Sequence, residues 1–164
     1  MLETQKIPYA LGIDVGSTTV KTVLLTEEGK VLSSSYERHF SKVRETVCAK
    51  LAQLAQEYPD RKLRVSITGS AGLGLAQAAE LPFVQEVHAA FLAVKQRYPQ
   101  ADVVIELGGE DAKIIFLTGG VEQRMNGSCA GGTGAFIDQM ATLLDVSVDQ
   151  LDKMALAAEK VYPI

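Results

Sequence analysis

The chain has 164 residues, enough for one compact domain or for two small lobes that share an interface. Its 47% hydrophobic content supports a buried core, while a net charge of −4 and a pI near 5.2 exclude a basic nucleic-acid-binding face. No apolar run approaches the roughly 18 residues of a membrane span, and Met1–Pro8 lacks a signal-peptide pattern, so we expect no membrane partner.

The first half of the chain predicts a meander of three strands, followed by helices and one further strand. The expected strands are Tyr9–Val15, Val20–Thr26, Val31–Tyr36 and Leu63–Thr68, and the expected helices are Ser41–Tyr58, Leu75–Glu80 and Glu86–Tyr98. The buried stripe of the first helix is expected to comprise Val43, Val47, Leu51, Leu54 and Ala55. Cys48 lies in the same helix and is expected to pack. Two cysteines without paired spacing favour a reducing cytoplasm.

The second half repeats the order of three strands and a helix. The expected elements are strands Val103–Leu107, Ala112–Leu117 and Val121–Met125, a helix Thr133–Leu144, and a last helix through Leu151, Met154, Ala155 and Ala158. A boundary near Tyr98–Ala101 predicts a first lobe over 1–100 and the start of a second over 101–164. Because the chain stops directly after a strong helical segment, we expect a piece of a longer protein whose second lobe is incomplete.

Two predicted strands end in similar acidic, glycine-containing turns. The first is Asp14-Val-Gly-Ser-Thr-Thr19 and the second is Glu106-Leu-Gly-Gly-Glu-Asp111. Carboxylates such as Asp14, Glu106 and Asp111 suit Mg²⁺ held through water, and turns rich in N–H donors suit phosphates. Neither turn is a P-loop, because no G-x-x-x-x-G-K-[ST] motif occurs. Gly69–Gly74 also follows a strand, but it matches the dinucleotide-binding fingerprint poorly.

A cysteine lies in a third glycine-rich turn, Asn126-Gly-Ser-Cys-Ala-Gly-Gly-Thr-Gly-Ala-Phe-Ile-Asp-Gln-Met140. The glycines of this turn let backbone N–H groups approach a bound group closely, and Cys129 precedes a predicted helix N-terminus. The positive end of a helix favours a thiolate or an anionic cluster. Alternatively, Cys129 acts only as a small, buried hydrophobic residue.

These three segments resemble known ATPase motifs. Asp14–Lys21 and Leu107–Lys113 resemble the first and second phosphate motifs of the superfamily of sugar kinases, actin and heat-shock ATPases. Asn126–Met140 closely resembles the activators of 2-hydroxyacyl-CoA dehydratases and the related benzoyl-CoA reductase ATPase subunits. The similarity begins near Ala10 and continues to the end. It implies an α/β, actin-like ATPase (ribonuclease H-like) fold with repeated βββα units and mixed sheets.

The resemblance also implies a function and its cofactors. Such activators bind ATP/ADP with Mg²⁺ and are cytoplasmic homodimers in which a [4Fe-4S] cluster bridges the two subunits. ATP hydrolysis drives one low-potential electron from reduced ferredoxin or flavodoxin to a dehydratase or reductase. Cys129 matches the first of two cluster cysteines, and the second has no counterpart within these 164 residues.

Site residues follow from the same resemblance. It assigns Asp14 to the Mg²⁺ shell, and Glu106 or Asp111 to the orientation of the attacking water. The expected nucleotide contacts are Gly16, Ser17, Thr18, Thr19, Lys21, Gly108, Gly109 and Glu110. Gly131 and Gly132 are expected beside the cluster. The sequence departs from the family at Glu106, where Asp is more usual, and at Glu110, where Gln is more usual.

Two other functions fit parts of the pattern. A small-molecule kinase of the same superfamily would need a substrate pocket and a catalytic Asp near the second motif, for which Asp111 could serve, and Cys129 would be incidental. A nucleotide-dependent scaffold would lack both iron and group transfer. A second cysteine soon after Ile164 in the full-length protein would favour the activator.

Overall fold

A computed structural model describes residues 9–59, 61–109, 111–120, 122–125 and 133–161. The chain divides into two compact units, Met1–Arg97 and Tyr98–Ile164, and each unit has its own sheet. None of the helices in the described ranges has the length and apolar character needed to cross a membrane.

The first unit is built on a mixed sheet. Its strands are β1 (Tyr9–Val15), β2 (Thr19–Leu25), β3 (Val31–Arg38) and β4 (Leu63–Thr68), and its helices are α1 (Val43–Glu57), α2 (Gly72–Ala78) and α3 (Glu86–Arg97). The strand order is β3-β2-β1-β4, with β1 antiparallel to β2 and parallel to β4. The end of β1 therefore lies beside both the start of β2 and the end of β4.

The core of the first unit surrounds β1. Leu11, Ile13 and Val15 are at most 1% exposed, because alternate residues of a strand point to the same face. Buried residues from the other elements complete this core: Val20, Leu24, Val47, Leu54, Ile67 and Ala76. Such burial of apolar surface is the main stabilising contribution to this unit.

Two predictions for α1 were wrong. Cys48 is exposed rather than packed, and Ala55 is also exposed. The residues that α1 buries are Val47 and Leu54, while Val43 and Leu51 pack partly against the same core. The buried stripe is narrower than the apolar stripe of the sequence, since only one side of α1 faces the sheet.

The second unit repeats the three-strand meander. Its elements are β5 (Val103–Leu107), β6 (Ala112–Phe116), β7 (Glu122–Met125), α4 (Gly134–Leu143) and α5 (Val148–Leu156). The strands lie in the order β5-β6-β7, and both pairs are antiparallel. Ile115, Leu117 and Ala141 are its buried apolar residues among those described. A capping box between Ser147 and Gln150 begins α5.

Candidate functional site

The end of β1 presents a half-satisfied carboxylate. Asp14 is in register with Lys21 on β2, and Lys21 Nζ donates a hydrogen bond of 2.8 Å to Asp14 Oδ2. The other oxygen, Oδ1, is buried and has no hydrogen-bond partner among the described residues. A buried acceptor without a donor is costly, so this oxygen fits a donor supplied by a ligand, such as a metal-bound water.

Lys21 holds its positive charge beside this carboxylate. Its partial burial acts to lower the pKa of the ammonium group, but the hydrogen bond and charge of Asp14 outweigh that effect and, with Tyr36 and Glu86, raise the pKa above its ordinary value. Lys21 Nζ also lies 5.7 Å from the centroid of the Tyr36 ring. Lys21 therefore keeps its positive charge beside Asp14 at neutral pH.

The loop between β1 and β2 offers backbone donors beside Asp14. The Gly16 N–H donates to the Thr19 carbonyl at 2.9 Å and closes the turn. Ser17 and Thr18 are exposed, and within the described ranges their N–H groups have no backbone acceptor. Thr19 is only 6% exposed. Within the described ranges, the N–H groups of Ser17 and Thr18, unlike that of Gly16, therefore keep no backbone partner.

Gly16 is not required by the local fold. Its φ is not positive, and an added Cβ would lie 3.6 Å from the Thr19 carbonyl oxygen and from Thr19 Oγ1, which is ordinary contact. We expect Gly16→Ala to change the free energy of unfolding by less than about 1 kcal/mol. A methyl group beside the exposed N–H donors should nevertheless weaken nucleotide binding about tenfold or more. Urea denaturation and nucleotide titration of the same variant separate the two effects.

Sequence reasoning missed the contribution of the β4 end to this site. Thr68 is in register with Asp14, and Thr68 Oγ1 is a second buried oxygen without a hydrogen-bond partner in the described parts of the chain. Gly69 has a φ of +95°, and a Cβ there would overlap Asp14 Oδ1 and the Val15 carbonyl. The glycine-rich turn at Gly69 was visible in the sequence. Its closeness to Asp14 depends on the parallel pairing of β1 with β4.

The end of β5 carries a second carboxylate–lysine pair. Glu106 is in register with Lys113 on β6, as Asp14 is with Lys21, and at the same separation along the chain. Lys113 Nζ lies 3.8 Å from Glu106 Oε1 and 3.5 Å from Asp111 Oδ2, and its side chain is only 8% exposed. Sequence reasoning did not select Lys113, although the repeated spacing could have revealed it.

The turn after β5 is bonded to α4. The Gly108 N–H donates to the Asp111 carbonyl at 2.8 Å. A Cβ on Gly108 would lie 2.8 Å from Asp111 Oδ1 and 3.0 Å from the Asp111 carbonyl oxygen, so a side chain here would require Asp111 to shift. The N–H groups of Gly134 and Ala135 donate to the carbonyls of Gly108 and Gly109, both at 2.9 Å. Two donors at the start of α4 are therefore used by the chain itself rather than being free for an anion.

Each unit thus brings together one part of the predicted site. Asp14, Lys21 and the 16–19 loop meet in the first unit, and Glu106, Asp111, Gly108 and Gly109 meet in the second. Glu110, Cys129, Gly131 and Gly132 lie outside the described residues. Within the described ranges, no group of three or more His, Cys, Asp or Glu side chains is arranged to hold a metal ion. The predicted roles of these residues remain predictions.

Comparison with known proteins identifies the family. Residues 11–162 match the BadF/BadG/BcrA/BcrD ATPase family. The chain belongs to this family. It is 32% identical over 164 aligned residues to the (R)-2-hydroxyglutaryl-CoA dehydratase activating ATPase of Acidaminococcus fermentans, an alignment that covers 93% of this chain and 60% of that protein.

Solved structures of dehydratase components share the fold of this BadF/BadG/BcrA/BcrD ATPase chain. Component A of the A. fermentans (R)-2-hydroxyglutaryl-CoA dehydratase superposes with a TM-score of 0.80 at 26% identity, covering 96% of this chain and 62% of that one. The activator of the 2-hydroxyisocaproyl-CoA dehydratase from Clostridium difficile, with bound ADPNP, gives 0.73 at 29% identity, with coverages of 95% and 59%. The predicted family and the predicted actin-like ATPase fold are confirmed.

Proposed function

We propose that this chain supplies the phosphate-binding part of an ATP-hydrolysing activator, whose partner is a 2-hydroxyacyl-CoA dehydratase or a related reductase. Similarity to relatives that are named as dehydratase activators, one of them with bound ADPNP, supports the proposal. The chain spans about 60% of the length of these relatives, so the activity belongs to the full-length protein.

The observation that carries the proposal is the half-satisfied carboxylate at the end of β1. Lys21 donates to one oxygen of Asp14, and the other is buried without a donor among the described residues. Ser17 and Thr18, in the loop that follows β1, are exposed, and within the same ranges their N–H groups have no backbone acceptor. This arrangement suits a phosphate chain that carries Mg²⁺ and its water shell. Asp14 would hold Mg²⁺ through water, and the ion would supply positive charge to the phosphates.

The second unit supplies the groups proposed to orient water. Glu106 and Asp111 both lie within 4 Å of Lys113, which offsets their negative charge. A carboxylate held in this way can accept a hydrogen bond from an attacking water and keep it oriented. Gly108, Gly109 and Glu110 are proposed to contact phosphates from the same turn.

Electron transfer is proposed to use Cys129. Thiolate ligands hold iron–sulfur clusters, and the proposed [4Fe-4S] cluster would bridge two copies of the subunit and accept electrons from reduced ferredoxin or flavodoxin. The two hydrogen bonds from α4 to Gly108 and Gly109 support coupling of a phosphate-binding turn to the helix that follows the cysteine segment. Nucleotide exchange would then shift this helix and alter docking to the acceptor in the cytoplasm.

We expect anaerobic iron–sulfide reconstitution of the full-length wild-type protein to give about two irons per subunit, with visible charge-transfer absorption. Cys129→Ala should lose both signals, because the cluster would lose a thiolate ligand. Cys48→Ala is the matched control and should keep both, since Cys48 is the chain's other cysteine and lies exposed on α1. Iron and absorption together distinguish a cluster from loosely bound metal.

Absence of iron from wild-type protein that still hydrolyses ATP would contradict the electron-transfer role. The function of a small-molecule kinase would then fit this protein better than that of an activator. Equal iron in the wild type and in Cys129→Ala would mean that other residues hold the metal. Either result would leave phosphate binding at Asp14 to be tested separately.

A further inference from the structure

His39 lies directly beneath the loop that joins β1 to β2. It follows β3, is only 6% exposed, and its backbone N–H donates to the Thr18 carbonyl at 3.1 Å. Its ring bonds at both nitrogens: Nε2 lies 3.2 Å from the Gly16 carbonyl oxygen, and the Ser41 N–H donates to Nδ1 at 3.1 Å. The side chain and the backbone of His39 therefore hold the carbonyls of both Gly16 and Thr18.

The two ring contacts determine the tautomer of His39. A backbone N–H can only donate, so Nδ1 must carry the lone pair, and a carbonyl can only accept, so Nε2 must carry the proton. The neutral imidazole with hydrogen on Nε2 satisfies both bonds, and no other form does. His39 Nε2 therefore donates a hydrogen bond to the Gly16 carbonyl, which is a more specific role than packing alone.

Holding the Gly16 carbonyl also orients the Ser17 N–H. The two groups belong to one trans peptide plane and point in opposite directions, so the bond from Nε2 directs the N–H away from His39. Gly16 has no Cβ to restrict its ψ, and this peptide would otherwise rotate easily. A rotated peptide would present the negative end of its carbonyl dipole, instead of an N–H group, to an incoming phosphate.

An unusual backbone conformation directly after β3 keeps His39 in contact with the 16–19 loop. Phe40 and Ser41 have φ values of +45° and +63°, a conformation that costs energy for residues other than glycine. This reversal brings the Ser41 N–H back to the ring of His39. The Phe40 side chain is 78% exposed, so burial of an aromatic ring does not explain the conformation.

We infer that His39 is a positioning residue for nucleotide binding, which keeps the Gly16–Ser17 peptide in the orientation that accepts a phosphate. This inference rests on the proposed nucleotide binding by the 16–19 loop. His39 touches no phosphate and no reacting atom. It acts through the backbone of Gly16 and Thr18.

The test is titration of the full-length protein with magnesium and ADPNP, a non-hydrolysable ATP analogue, by calorimetry. His39→Ala should weaken binding about tenfold, because the loop would then sample rotated peptides. His39→Gln should restore most of the affinity, since its side-chain amide can donate where Nε2 does. His39→Asn should not, because its shorter amide reaches only the position of Nδ1. His88→Gln, at the chain's other histidine, is the matched control and should bind as wild type does.

The outcomes separate this inference from the proposed function. Wild-type protein that fails to bind the analogue overturns both. Wild-type binding with equal affinity in His39→Ala overturns the inference alone, as does equal behaviour of the Gln and Asn variants.

A measurement on unmutated protein covers the case in which the variants fold poorly. Long-range ¹H–¹⁵N spectra should show a proton on Nε2 of His39, and the Ser17 amide should shift when the analogue binds. A proton on Nδ1 instead would overturn the inference.

Discussion

Replacing Gly69 with alanine should lower the free energy of unfolding of the protein by about 3–5 kcal/mol. The φ of Gly69 is +95°, which side chains adopt only with strain, and the new Cβ would overlap the Val15 carbonyl and Asp14 Oδ1. These neighbours belong to β1, the central buried strand, so they cannot easily move away. Urea denaturation followed by circular dichroism measures the change, with an unaltered m-value showing that the unfolded state is the same.

Gly74→Ala provides the matched control for this substitution. Gly74 lies in α2, its φ is not positive, and a Cβ there would meet nothing within 4 Å. Alanine at such a helical position should stabilise the protein by about 0.5–1 kcal/mol. If the Gly69→Ala and Gly74→Ala variants had similar free energies of unfolding, the claim that Gly69 lies in close contact with β1 would be contradicted.

Asp14→Asn should reduce the rate of ATP hydrolysis about 100-fold or more. The substitution preserves the shape of the side chain but removes the negative charge that would hold the magnesium shell. It also removes the ion pair with Lys21, whose Nζ lies 2.8 Å from Asp14 Oδ2 in the wild type. The folded state should change little in stability, because both side chains are partly exposed and such ion pairs contribute weakly. Steady-state ATPase rates of the full-length protein at saturating Mg-ATP measure the effect.

Glu37→Gln is the charge-matched control for Asp14→Asn. Glu37 lies on β3 of the same sheet and pairs with Lys50 at 2.9 Å, so the variant removes one carboxylate charge from one ion pair. Its ATPase rate should stay within about twofold of the wild type, because Glu37 has no place in the proposed magnesium shell. A comparable loss in both variants would indicate a general charge effect, and an active Asp14→Asn would exclude Asp14 from the magnesium shell.

The strands were the part of the fold that the sequence predicted best. β1, β4 and β5 begin and end at the predicted residues. Each stops directly before a glycine, at Gly16, Gly69 and Gly108; β1 and β5 are mainly apolar runs, and β4 alternates apolar with polar residues. Local pattern and turn chemistry agree at these three places, so neighbouring residues alone suffice for prediction.

Features that depend on contacts distant in sequence were not predicted. α2 begins at Gly72, three residues before the predicted start, because glycine gives no helical signal; a Cβ there would lie 2.9 Å from Ile67 Cγ2. His39 was missed because the left-handed residues Phe40 and Ser41, which turn the chain beneath the loop, carry no glycine signal. The closeness of Thr68 to Asp14 follows from strand pairing rather than from either motif.

The contact between α4 and the Gly108–Gly109 turn has a consequence for how this protein can evolve. A Cβ on Gly134 would lie 3.3 Å from the Gly108 carbonyl oxygen and 3.4 Å from Gly109 Cα, so backbone meets backbone with no side chain between. A larger residue at Gly134 would require the turn to move by a few tenths of an ångström, against its two hydrogen bonds to the first amides of the helix. Substitutions in the turn and at the helix start, which are 25 residues apart when counted from Gly109 to Gly134, should therefore have coupled effects on stability, which favours their changing together.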